Sequence, residues 1–197
     1  SLDEWRDLIT ASVRHFISRY GRHEVRQWHF EIWNEPDLHF FFSGTQDDYQ
    51  ELYATAARAI KAIDPELRVG GPATATGNWV DTFIAACHRR GDPLDFFATH
   101  GYAVQAGQYL DEFGGAELFL DPKPYALADY FISVRERIRA SPLPNLPLHI
   151  TEWNSSYSPR DPVHDHYANA AFILDQVEHA GDAVDSMAYW TISDVFE

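Results

Sequence analysis

The hydrophobic pattern along this chain switches repeatedly between a period of about 3.6 and a period of about 2, which constrains the fold more than any other feature. Ser1-Leu2-Asp3-Glu4 has the form of a capping box, and Trp5, Leu8, Ile9, Ser12, Val13, Phe16, Ile17 and Tyr20 follow at helical spacing until Gly21. Trp28 to Trp33 alternates as a strand. Thr45 to Ile63 reads as a helix closed by Asp64-Pro65, and Leu67 to Gly71 as a short strand. Asn78 to Arg90 is a helix opened by an Asn cap, and Asp95 to His100 is a strand. Gly101 to Asp121 reads as a long loop, of the kind that is functional or mobile in compact domains. A helix over Pro124 to Arg139, a strand over Leu146 to Glu152, a helix over Val163 to His179 and a strand over Val184 to Thr191 complete the chain.

Strands separated by helices of this length predict parallel pairing through right-handed crossovers. The periodicity fits either a doubly wound sheet or part of a barrel. No repeat or linker interrupts the 197 residues, so 1–197 is assigned one domain.

Charge narrows the partners. A formal net charge of −15 repels phosphate backbones and anionic lipid surfaces, which argues against nucleic acid and membrane. No apolar run approaches the ~20 residues a spanning helix needs. Neutral sugars meet no such repulsion, and the aromatic content of 15% leans weakly toward them. Cys87, the single cysteine, falls on the apolar stripe of its helix and reads as a packed small hydrophobe.

In both architectures the chemistry sits at the C-terminal ends of parallel strands. Two strands end alike, Trp33-Asn34-Glu35-Pro36 and Thr151-Glu152-Trp153-Asn154, each with a glutamate at its tip among aromatics. A closed barrel brings such tips to face each other. Facing glutamates suit glycosidic cleavage: one donates a proton to the leaving oxygen and the other attacks the anomeric carbon, at about 5 Å separation when configuration is retained. His164-Asp165-His166 places donors close together, but alternate residues at a helix start diverge and no third ligand follows, so no metal is assigned. Neither a Gly-x-Ser-x-Gly elbow nor a glycine-rich phosphate loop is present, and the chemistry above requires no cofactor.

Phe30-Glu31-Ile32-Trp33-Asn34-Glu35-Pro36 resembles the acid/base motif after strand four of clan A glycoside hydrolases, and Ile150-Thr151-Glu152-Trp153-Asn154 that clan's nucleophile motif after strand seven. Within the clan the chain resembles glycoside hydrolase family 39, the β-xylosidases and α-L-iduronidases. The resemblance implies Glu35 as acid/base and Glu152 as nucleophile, with Asn34 on the sugar's 2-hydroxyl. It further implies substrate contacts from His100 and Tyr102, the latter near enough to tune the nucleophile, an aromatic wall from Trp190, and sugar hydroxyls on Glu197. Read without it, His100 is a core histidine, Trp190 ordinary packing and Asn34 a turn cap.

The resemblance also implies an incomplete (β/α)8 TIM barrel, its strands four to eight with their helices, since three strands of such a barrel would precede Trp28. The expected parent activity is an exo-acting β-xylosidase releasing xylose from xylo-oligosaccharides. The alternatives are an α-L-iduronidase-like hydrolase, with Lys123 or Arg160 meeting a uronic carboxylate, and a non-catalytic sugar-binding or structural fragment. Five strands do not close a barrel, so the chain is expected either to associate through its open edges or to cover them with its own segments, and little hydrolysis is expected from this piece alone.

Overall fold

The computed structural model describes residues 1–109, 116–120, 123–158 and 161–191, with the side chains of 105–109 and 116–120 left aside. The parallel strands are β1 (His29–Glu31), β2 (Arg68–Thr74), β3 (Phe96–Tyr102), β6 (Leu148–Asn154) and β7 (Ser186–Tyr189). They lie side by side in the order β1-β2-β3-β6-β7, so spatial order follows chain order and no strand crosses back. A doubly wound sheet reverses its order at a switch point, whereas a barrel does not. The sheet also curls. The rings of His29 on β1 and His149 on β6 lie 4.8 Å apart although two strands separate them. The sheet is therefore an incomplete (β/α)8 barrel.

Helices α1 (Leu2–Tyr20), α3 (Gln46–Ile63), α4 (Val80–Arg90), α5 (Ala126–Arg139) and α6 (Tyr167–Ala180) cover the outer face; a single turn, α2 (Arg22–Val25), follows α1. The core lies between helices and sheet, where Tyr49, Tyr53, Phe83, Phe97 and Phe131 are fully buried. Cys87 belongs to it, and burial pushes its thiol up to about 12. Ser1 and Thr45 close full capping boxes on α1 and α3.

Three expected elements differ. Trp79, in a left-handed conformation, precedes α4 in place of an Asn78 cap; the Asn78 side chain is held toward the preceding loop, its Nδ2 donating to Asp37 and Thr76. The expected loop from Gly101 holds the end of β3 and an antiparallel pair, β4 (Val104–Tyr109) with β5 (Ala116–Leu120). Glycines and alanines blur its alternation, so local pairing was invisible to periodicity. The expected helix from Val163 begins as a 3-10 turn, Pro162–Asp165, and α6 starts at Tyr167 with His166 as its cap.

Candidate active site

Glu35 is delivered by a strained turn. Trp33 (φ 72°) and Glu35 (φ 44°) both take left-handed backbone, which costs about 1–3 kcal/mol each and survives only where neighbours enforce it. The enforcement is visible here: the Tyr49 hydroxyl donates to the Ile32 carbonyl (2.8 Å), the Trp33 indole N–H to the Phe41 carbonyl (3.0 Å) and the Glu35 N–H to the Ala73 carbonyl (2.9 Å). Asn34 stands exposed at the apex of the same turn.

Glu152 is aimed by a bulge. Thr99 pairs with Ile150 and His100 with Glu152, so Thr151 is an extra residue in β6. Such insertions re-aim side chains beside active sites. Glu152 thereby turns onto the inner face opposite Glu35. One donor atom each from Glu35, His100 and Glu152 lies within 4.8 Å of the other two. One oxygen of each carboxyl therefore lies within 4.8 Å of the other, which accords with the roughly 5–5.5 Å spacing of the retaining geometry.

His100, only 1% exposed, bridges the pair: its Nδ1 is 2.9 Å from Glu35 Oε1 and 3.8 Å from Glu152 Oε2. Burial disfavours its charged form, yet the Glu35 hydrogen bond and the charges of Glu152, Glu35 and Glu31 outweigh that and raise its pKa. The Tyr102 hydroxyl donates to Glu152 Oε1, and burial together with that carboxylate holds its pKa above the ordinary phenol range. The same three donors are of a type that can hold a cation, though Nδ1 is already engaged by Glu35.

The structure thus brings Glu35, His100, Tyr102 and Glu152 together, with Asn34 beside Glu35. Trp190 lies one residue past β7, 43% exposed, and is tied to the Glu152 strand. Its N–H donates to the Trp153 carbonyl (3.0 Å), and its own carbonyl accepts from Asn154 Nδ2 (2.6 Å). Glu197 and Arg160 lie outside the described residues. The ring nitrogens of His164 and His166 are engaged locally: His164 Nε2 donates to the Ser156 carbonyl, and His166 Nδ1 accepts from the Ala168 N–H.

Two participants escaped the sequence reading. Asn154 is buried and also accepts from the Tyr189 hydroxyl (3.0 Å), locking β6 to β7. Glu31, inside β1 between Phe30 and Ile32, is a carboxyl in a strand whose next residue enters the core, and that placement was its available signal.

Known proteins match this arrangement along its length. A curated β-xylosidase of Geobacillus stearothermophilus is 49% identical over 199 aligned residues, covering 99% of this chain but 39% of the relative. A crystal structure of a monomeric β-xylosidase from Caulobacter crescentus superposes with a TM-score of 0.94 at 51% identity, over 100% of this chain and 40% of that one. Human α-L-iduronidase is 42% identical over 71 residues, 35% of this chain. The chain therefore spans about two-fifths of the β-xylosidases it matches. The sequence model described as "Glycosyl hydrolases family 39" matches residues 1–197, and the chain belongs to that family.

Proposed function

We propose that residues 1–197 are part of one catalytic domain of a retaining β-xylosidase, with Glu35 as acid/base and Glu152 as nucleophile. The observation that carries the reading is the carboxyl pair, held within 4.8 Å with His100 between. Glu152 attacks the anomeric carbon as the glycosidic C–O bond breaks, while Glu35 gives its proton to the departing oxygen. Water, deprotonated by Glu35, then cleaves the glycosyl ester and returns Glu152 as a carboxylate. Tyr102 fixes the attacking carboxylate, leaving its other oxygen for the sugar. In this reading Asn34 bonds the 2-hydroxyl, His100 contacts the sugar, Trp190 walls the ring, and Glu197 takes further hydroxyls.

The substrate is a neutral xylo-oligosaccharide attacked from its end. Two observations favour it over a uronic acid: the β-xylosidase likeness runs at 49% identity over 99% of the chain, and the α-L-iduronidase likeness runs at lower identity, 42% over 35% of it in one relative and 36% over 55% in another. The edges of β1 and β7 that are unpaired among the described residues carry, in the same proposal, contacts between copies of this chain.

A single-turnover test suits a chain of this length. An activated 2-deoxy-2-fluoro-β-xyloside is expected to leave a covalent sugar on the peptide containing Glu152, and none on Glu152→Ala. Equal xylose binding by both proteins, with no label on either, replaces the enzyme by a sugar-binding fragment.

A further inference from the structure

Side chains on the inner face of the sheet stack in layers beneath the catalytic pair. The lowest holds His29, Phe96 and His149, with Phe96 edge-on to both histidines at 5.2 Å and 5.1 Å. Side chains on a strand return to the same face every second residue. Two residues on from His29 and His149 stand Glu31 and Thr151, and the catalytic layer of Glu35, His100 and Glu152 lies above them. Ile32, next to Glu31, points the other way into the helix-side core.

Glu31 and Thr151 face each other in that middle layer. Glu31 Oε2 and Thr151 Oγ1 are both buried, and neither closes a hydrogen bond of good geometry with any described residue. Burial raises the Glu31 pKa; the Thr151 hydroxyl and His100 lower it, and Glu152 raises it further. His100 and Glu152 face it from above, His29 and His149 from below, and Tyr49 from α3. An ionised Glu31 here would be a third negative charge under an acidic pair. The threonine hydroxyl donates to an ionised Glu31, whereas a protonated Glu31, the form that burial favours, supplies an O–H to the threonine that forms the bulge.

We propose that Glu31 is a positioning residue: a neutral carboxylic acid that donates to Thr151 and so props the bulge that aims Glu152 at the anomeric carbon. This rests on the reading of Glu152 as nucleophile, but neither test below requires turnover, so a chain that hydrolyses nothing still decides it.

A carboxyl kept neutral in the folded chain stabilises it fully below the unfolded pKa of about 4.3, and that stability is lost as pH rises toward the folded pKa. The melting temperature of wild type minus that of Glu31→Gln, on the whole chain, is therefore expected to fall as pH rises above about 4.3. A difference that stays flat to about pH 9 means that Glu31 titrates normally and overturns the proposal. The second readout is the downfield NMR resonance of the Tyr102 hydroxyl proton held by Glu152. It is expected to persist in Glu31→Gln, which keeps a donor, and to vanish in Glu31→Leu and in Thr151→Val. Its persistence in Thr151→Val overturns the positioning role even if Glu31→Leu does not fold.

Discussion

At the scale of single residues, the two carboxylates behave differently because their supports differ. Glu35 is delivered by a left-handed turn fixed at Ile32, Trp33 and Glu35 itself, and its carboxylate meets His100 Nδ1. Glu152 is held by a side chain, the Tyr102 hydroxyl. Tyr102→Phe keeps the ring and removes that donor, leaving a half-buried carboxylate oxygen without its partner, at a cost of about 1–3 kcal/mol. The rate of covalent labelling at Glu152 is then expected to drop by about 5- to 150-fold, with a lower melting temperature beside it. Glu35→Ala should slow turnover by about 10²–10⁴-fold, and should matter little for a leaving group that departs without a proton. Equal slowing for good and poor leaving groups would sink the acid assignment. Both carboxylates were legible in sequence because each ends a strand in a Trp/Asn frame. Glu31 was not, because what separates it from an ordinary strand residue is Thr151, which is 120 positions on and reaches it only once the sheet curls.

At the scale of elements, the histidine layer and the β3–α5 contact carry the predictions. His29 and His149 both have lowered pKa values: burial is the first cause for each, followed by Arg68 for His29 and by His29 for His149. Groups kept neutral in this way contribute stability above the unfolded pKa of about 6.5, and it is lost as pH falls through the folded values. Calorimetry should show wild type losing more melting temperature between about pH 7.5 and about pH 5.5 than His149→Gln does. Asp64, held low by Arg26 and Arg22, titrates below that window and does not confuse the comparison. Gly101 is the tight point between β3 and α5, because a Cβ there would sit 2.6 Å from Phe131 and 2.8 Å from Leu127. Gly101→Ala is expected to cost about 1–3 kcal/mol, read as a lower melting temperature, and to loosen His100 and Tyr102 on either side. The helices were legible because caps and apolar stripes are local, as at Ser1 and Thr45. The β4–β5 hairpin and the Trp79 entry to α4 were not, since a tertiary partner for Asn78 decided the one and cross-strand pairing the other.

At the scale of the whole molecule, sequence periodicity left doubly wound and barrel architectures level, and strand order decided between them. The same order leaves β1 and β7 each with one unpaired edge among the described residues. The helices at both ends agree with exposed ends: Leu8 on α1 is 58% exposed and Leu174 on α6 is 70% exposed. Exposed strand edges flanked by apolar side chains favour pairing with another chain. Opposing this is the net charge of −15, which repels a second copy over about a Debye length. The balance therefore depends on salt. At low ionic strength the chain should elute nearer its monomer mass, and raising salt should shift light-scattering mass upward as repulsion is screened while apolar contact is not. Leu8→Lys combined with Leu174→Lys should return it toward monomer at every salt concentration without altering the fold. A single monomer mass across salt and concentration, together with high thermal stability, would mean that the chain closes its own edges and that association plays no part.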